Sequence, residues 1–339
     1  MSRIIVDGHG GDDAPRVIIE SLQQILSGGK GSNEEGSIEL GIVGQPEVLT
    51  PALDAAGIAG RVEMIPAAQT IDMCESPAIA LRRKKDSSIH VGTRQVRDGH
   101  WDALVSAGNT GALMAISKFI LKTLPDVDRP AIASMIPAID GQTLLLDAGA
   151  NVDSSSEHLL QFAVMGSCYM QAAEGMDSPR VGLLNIGSED IKGTDVVKVA
   201  AAELREMNLN FVGNVEGTDL FLDTVDVVVC DGFVGNVALK TMEGVARFII
   251  HNLRRELSGS LSAKMGTLLA RDALKRLKSK IDPAEYNGAP LLGLNGIVVK
   301  SHGGANTRAF VRAIMVAHRE VDSNLREYTV EAMNQWTEN

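Results

Sequence analysis

Six times along this chain of 339 residues an apolar, strand-like run ends in a glycine-rich polar loop that opens a helix. The six stretches are IIVDGHGGDDAP from Ile4, VSAGNTGALMA from Val105, LLLDAGANVD from Leu144, VGLLNIGSEDIKGT from Val181, VVVCDGFVGNVALK from Val227 and GIVVKSHGGANTRA from Gly296. One such loop is weak evidence, because a solvated strand-to-helix turn has the same composition. Six in one chain point to an open α/β sheet whose ligand sits beyond the carboxyl ends of the strands. None spells GxxxxGK[ST], and the glycines of GHGGDD do not match GxGxxG, so neither a P-loop nor a dinucleotide fingerprint is supported. Only 4% of residues are aromatic while 34 are glycine, which suits parallel strands under closely packed helices.

The stretch from Val181 to Thr194 carries the most chemistry. A strand ends in Gly187, Ser188, Glu189, Asp190, Lys192 and Gly193 before a helical run from Asp195. That arrangement offers backbone N–H groups, a helix N-terminus and one cation to an anion. The plain alternative is a turn in which Gly193 breaks the strand and Thr194 caps the helix. With five similar loops elsewhere, the stretch reads as a phosphate seat.

The order of elements continues the alternation: helix Arg16 to Leu26, a polar surface loop over Gly28 to Ser37, strand Ile38 to Val43, helix Pro46 to Ala56, strand Arg61 to Ile65, helix Ser87 to Asp98 and strand Ala103 to Val105. The length fits one large α/β unit or two domains, and we read residues 1–339 as a single domain with a helical excursion over 245–285. No apolar run approaches the roughly 18 residues of a spanning helix, so the expected location is cytoplasmic. Cys74, Cys168 and Cys230 form no CxxC pair. No metal site is expected from them, and no disulfide framework.

A formal net charge of −11 argues against nucleic acid as a partner. Two segments run against that balance. Arg82 to Lys85 is a run of four bases, a solvated helix end or a grip for an acidic partner. From Val245 to Ile281, nine basic residues face two acidic ones. There Val245, Ile249, Leu253 and Leu257 recur every four residues, and Ala270, Leu274, Leu277 and Ile281 at three and four. The spacing predicts two amphipathic helices joined near Ser258 to Ser262. Such a hairpin can bury its stripe on the body or in a dimer, or meet an anionic membrane or an acidic protein.

Taken together, the loops resemble the phosphate acyltransferases of bacterial phospholipid synthesis. The matching stretches are VDGHGGDDAP, RRKKDSSI, SAGNTGALMA, LLDAGANVD, HLLQFAVMG, VGLLNIGSEDIKGT, FVGNVEG, DGFVGNVALKTMEG and GAPLLGLNGIVVKSHG, in order over nearly the whole chain. Asp13 stands where that family usually has histidine, and Gly8 and His9 where it commonly has alanine and methionine. The resemblance implies a Rossmann-like three-layer α/β/α sandwich, similar to phosphotransacetylases, with a protruding amphipathic helical hairpin. It implies acyl transfer from acyl carrier protein to inorganic phosphate, giving acyl phosphate. It also implies a homodimer, peripheral membrane association through a hairpin tip at about Leu257 to Leu269, and a membrane-bound glycerol-phosphate acyltransferase downstream. The family's important lysine falls on Lys192 and its important asparagine on Asn236. No cofactor is implied.

The chemistry asks for little more. Phosphate is already an anionic nucleophile, so the protein must neutralise and position it beside the thioester and aim donors at the developing oxyanion. Lys192 is assigned to phosphate with the N–H groups around Gly187, Ser188 and Gly193. Asn236 serves the thioester carbonyl or a phosphate oxygen. Asn109, Thr110, Asn151, Asp231 and His302 are further candidates on the neighbouring loops. Arg254, Arg255, Lys264, Arg271 and Lys275 are the expected dock for an acidic carrier or a membrane. Cys230 is the rival nucleophile, though cysteines at the ends of buried strands are usually inert. Two alternatives share parts of this pattern: a phosphotransacetylase acting on short acyl-CoA, and a membrane-surface scaffold without turnover.

Overall fold

The computed structural model describes residues 1–28 and 38–337. The loop expected over Gly28 to Ser37 lies, from residue 29 onward, outside the described residues. The chain begins with β1 (Ser2–Asp7), α1 (Arg16–Leu26), β2 (Ile38–Gly44), α2 (Pro46–Ala55), β3 (Glu63–Pro66), α3 (Pro77–Arg83) and α4 (Ser88–Arg97). It continues through β4 (Ala103–Ser106), α5 (Thr110–Leu121), β5 (Ala131–Pro137), β6 (Gln142–Leu146), α6 (Ser156–Ala172), β7 (Val181–Leu184), α7 (Asp195–Glu206), β8 (Phe211–Val215) and β9 (Val227–Val229). It closes with α8 (Gly232–Ser258), α9 (Leu261–Leu269), α10 (Arg271–Ile281), β10 (Ala289–Leu292), β11 (Ile297–Lys300), α11 (Thr307–Asp322) and α12 (Leu325–Thr337).

The strands form one sheet in the order β3-β2-β1-β4-β11-β10-β5-β6-β9-β7-β8. Helices cover both faces, which is why the strands are apolar on both sides. In β1, Ile4 and Val6 pack with Val17, Ile18 and Leu22 of α1 and Phe310 and Ile314 of α11. Ile5 enters the opposite layer with Ile89 and Val91 of α4 and Leu113 of α5. A third cluster joins β6 and β9 to Phe162 and Tyr169 of α6 and Leu204 of α7.

The sheet is not of one polarity. Strands β3, β2, β1, β4 and β11 are mutually parallel, and so are β6, β9, β7 and β8. Between them β10 is antiparallel to both β11 and β5, and β5 is antiparallel to β6. The two parallel halves therefore point in opposite directions. Three of the six glycine-rich loops leave each half, a difference from a single carboxyl edge that no local pattern encodes.

The two edges nevertheless meet. Strand β10 pairs with β11 only through Ala289↔Lys300 and Pro290↔Val299, and with β5 only through Leu291↔Ile132 and Leu292↔Ala131. Two residues of β10 thus carry the path from Lys300, the last residue of β11, to Ile132, whose N–H donates to Asp147 just past the end of β6 at 2.9 Å. At about 3.3 Å per residue this shear brings the opposed carboxyl ends together in the middle of the sheet.

The helical excursion also differs from its expected bounds. Its first helix does not begin near Val245; α8 runs unbroken from Gly232 over 27 residues, so the excursion grows directly out of the loop after β9. The break expected near Ser258 to Ser262 lies between α8 and α9, and a second break at Ala270 separates α9 from α10. Neither α9 nor α10 has a buried residue. Leu261 is 83% exposed and Leu269 88%. No helix among the described residues is long and apolar enough to cross a membrane.

Candidate active site

On one side of the meeting point, the loops after β1, β4 and β11 lock together. Asp7 is buried and accepts from the Ser106 hydroxyl at 2.7 Å and the His9 N–H at 3.1 Å. Ser301 N–H donates to the Ser106 carbonyl, and Asp12 N–H to the Gly303 carbonyl, both at 2.9 Å. Lys300 is buried, its ammonium donating to the Ser301 carbonyl. Burial lowers its pKa to about 8 against the pull of Asp7.

The other side is built on Asp147. Its carboxylate accepts from the N–H groups of Ile132, Gly149, Ala150 and Asn151 and from the Asn151 amide. Burial raises its pKa and those bonds oppose the rise. Asp231 caps α8 by accepting from Val234 N–H at 2.9 Å. One turn on, the exposed Asn236 side chain lies against Gly149, where a Cβ would stand 3.3 Å from the Asn236 Cβ.

The Gly187–Gly193 loop leaves the same edge two strands out, after β7. Leu146, Val229 and Leu183 lie in register across β6, β9 and β7, so their loops start level. The Asn185 amide spans the loop, donating to the Lys192 carbonyl at 3.1 Å and accepting from Ile186 N–H at 2.8 Å. Gly193 has φ 87°, which favours glycine, and a Cβ there would push that amide out of its place. Asn214 of β8 donates to the Glu189 carbonyl at 3.3 Å. Thr194 caps α7. Lys192 and Ser188 are exposed, and Lys192 makes no ion pair among the described residues.

The remaining candidates divide by how their polar atoms are spent. Asn109 caps α5 through Ala112 N–H and donates its amide to the carbonyls of Asp72, Met73 and Glu75, all at 2.9–3.1 Å. Asn151 donates to Pro130 and Asp147. Both amides hold loops. Thr110 is the exposed first residue of α5. His302 is exposed; its Nδ1 accepts from Gly304 N–H at 3.0 Å. Partial desolvation of its ring nonetheless lowers its pKa, and Lys240 pushes the same way. The Cys230 thiol is buried and pushed well up by burial and by Asp231 and Asp147, which makes it a poor nucleophile. Asp13 is exposed and pairs with Arg16 at 3.5 Å. Arg254, Arg255, Lys264, Arg271 and Lys275 are exposed on α8, α9 and α10.

Sequence reasoning passed over Lys240 and Glu243 on α8, Lys300 at the end of β11, and the two amides Asn185 and Asn214. Spacing held a signal for the first pair: Asn236, Lys240 and Glu243 recur at four and three residues, one face of a helix. Nothing local marks Lys300, because the charged groups around it, Asp7, Asp12 and Lys240, are distant in sequence.

The model of a family described as fatty acid synthesis protein matches residues 2–327. The phosphate acyltransferase of Magnetococcus marinus is 48% identical over 336 residues, covering 96% of this chain and 94% of its own. That of Alcanivorax borkumensis is 49% identical over 335 residues, covering 98% and 97%. Among solved structures, a phosphotransacetylase from Streptococcus pyogenes superposes with a TM-score of 0.62 at 17% identity, covering 95% of this chain and 94% of that one. That likeness concerns the fold, an α/β sheet clothed by helices. With near-complete coverage at almost half identity, the chain belongs to the phosphate acyltransferase family.

Proposed function

We propose that the enzyme transfers a long-chain acyl group from acyl carrier protein to inorganic phosphate. The observation that carries the reading is the pairing of an exposed lysine in a glycine-rich loop with an exposed asparagine at the start of α8, on level strand ends of one sheet edge. Lys192 and the N–H groups of Gly187 to Gly193 hold the phosphate. A phosphate oxygen attacks the thioester carbon, the C–S bond breaks, and the thiolate of the carrier's arm leaves with its electron pair. Asn236 donates to the carbonyl oxygen as it gains charge. The thiol is a good leaving group, so no dedicated acid is needed.

The acyl chain needs apolar surface next to that point. Phe233, Val237 and Phe248 are exposed on α8 on a stripe adjoining Asn236. Arg254, Arg255, Lys264, Arg271 and Lys275 form the dock for an acidic carrier. The uncovered apolar residues of α9 serve a second copy of the chain or an anionic membrane surface at the cytoplasmic side. There the acyl phosphate would pass to a membrane-bound glycerol-phosphate acyltransferase.

The likeness to phosphotransacetylases favours one second reading, a short acyl-CoA donor. Purified protein with long-chain acyl carrier protein and labelled phosphate, beside acetyl-CoA, separates them. Phosphate-dependent acyl phosphate from the long-chain donor is expected. Turnover with acetyl-CoA alone would replace it with the second reading.

A further inference from the structure

Helix α8 carries a polar line that extends far beyond Asn236. Asn236, Lys240, Glu243, Arg247 and Arg254 follow at intervals of four, three, four and seven residues. At about 100° per residue, all fall within about 40° of the direction of Asn236. The four other than Glu243 are exposed. Glu243 holds Lys240 at 3.0 Å and lies 3.8 Å from Arg247, so one acid is shared by two long bases and the face keeps a positive surplus. The end of β11 stands nearby: beyond the effect of burial, Lys240 and Arg247 both depress the pKa of His302, and Lys240 that of Lys300. The acids in this neighbourhood are Asp7 and Asp12, which favour the charged form of Lys300, and Glu243, which favours that of His302.

We propose that Lys240 and Arg247 form a second anion seat, distinct from the Gly187–Gly193 loop, that takes the phosphodiester of the carrier's pantetheine arm, with His302 on the facing wall. The inference rests on acyl carrier protein being the donor. The span decides it. Thirteen bonds separate phosphorus from sulfur in the arm, about 16 Å when extended at the reach of a peptide chain. Eleven residues separate Asn236 from Arg247, about 16 Å at 1.5 Å each. A thioester at Asn236 with its arm laid along α8 therefore sets the phosphodiester at Arg247. The carrier's acidic surface then arrives at Arg254, about 10 Å farther. A guanidinium and an ammonium group gathered on one helix face suit this anion.

The test uses two soluble donors, acyl-4′-phosphopantetheine and acyl-pantetheine, with the intact enzyme and its Lys240→Ala/Arg247→Ala and Arg247→Lys variants. The wild type is expected to prefer the phosphorylated donor by about tenfold or more in kcat/KM. The double variant should lose that preference while its KM for inorganic phosphate stays within about twofold, and Arg247→Lys should recover most of it. Equal loss on both donors would overturn the proposal as a general structural effect, and an undiminished preference would overturn it outright. A raised KM for inorganic phosphate would assign the cluster to the attacking phosphate instead. A wild type that turns over neither pantetheine donor nor acyl carrier protein would remove the donor reading itself. Failure of the phosphate seat would show separately, as an unchanged KM for phosphate in Lys192→Ala.

Discussion

The loop after β6 and the loop after β7 leave one edge of the sheet with only β9 between them, yet they are built in opposite ways. The first spends its polar groups inside the fold: the buried Asp147 carboxylate gathers three N–H groups of its own loop, that of Ile132 on β5, and the Asn151 amide. The second is held from below by the Asn185 and Asn214 amides and leaves Lys192 in solvent. Acyl transfer to phosphate can use both designs. A wall that fixes Asn236 must not move, whereas a seat for a free anion needs donors that nothing else has claimed.

The contrast breaks most visibly if Asp147 is removed. Asp147→Ala strands four N–H groups, each costing about 1–3 kcal/mol, so a loss of at least about 4 kcal/mol is expected in denaturant titrations. A stability close to that of the wild type would mean that the first loop is not self-contained. Gly235→Ala attacks the same wall from α8, because a Cβ would overlap the Asp147 carbonyl oxygen. Lys192→Ala should do the reverse, lowering kcat/KM by about a thousandfold while the unfolding midpoint stays put. Loss of fold in that variant would show the second loop to be structural.

Glu320 sharpens the comparison as a buried carboxyl without Asp147's partners. One of its oxygens has no hydrogen bond, and burial raises its pKa to about 8. A raised carboxyl pKa means that the folded state holds its proton longer than the unfolded chain does. Stability is then full below the ordinary carboxyl range and falls as pH rises toward 8, by up to about 1.4 kcal/mol per pH unit. Glu320→Gln should flatten that slope in melts between pH 5 and 8; an unchanged slope would place the titration elsewhere. A smaller effect is expected at Asn185→Ala: about a tenfold rise in KM for phosphate with about 1 kcal/mol of stability lost. A change in kcat alone would separate the amide from the phosphate seat. Smallest of all, Arg254→Glu should slow turnover of the acyl carrier a few-fold at low salt and weaken its salt dependence, with soluble pantetheine donors unaffected.

Much of the first loop and of the second was legible because glycine, asparagine and aspartate after an apolar run carry their backbone preference with them. Thr194 as a cap and α1 at Arg16 to Leu26 come from such local rules. The reversal of sheet polarity did not, since it depends on β10 pairing across more than 150 residues with β5. The start of α8 was misplaced for a different reason. Its apolar residues change face between Phe233 and Leu257, and Gly235 and Gly244 interrupt the pattern, while in the fold Leu239 packs against the buried cluster that holds Ala148 and the helix runs on without a break. Asn109 and Asn151 looked like ligand groups in sequence; the carbonyls that occupy them lie on segments up to 37 residues away.

The continuity of α8 has a consequence for how such a chain can vary. From Asn236 to Ser258 there is no loop to absorb a change in length. One inserted residue would turn everything beyond it by about 100° and advance it by about 1.5 Å, moving Arg247 and Arg254 off the side on which Asn236 stands. Two would turn it by about 200° and three would leave it about 60° short of a full turn, and only an insertion near a whole number of turns, such as seven or eighteen residues, restores the phase. Drift in length is therefore blocked along this helix and free again past Gly259, so the Asn236 end of α8 and its distant tip are bound to a common pitch.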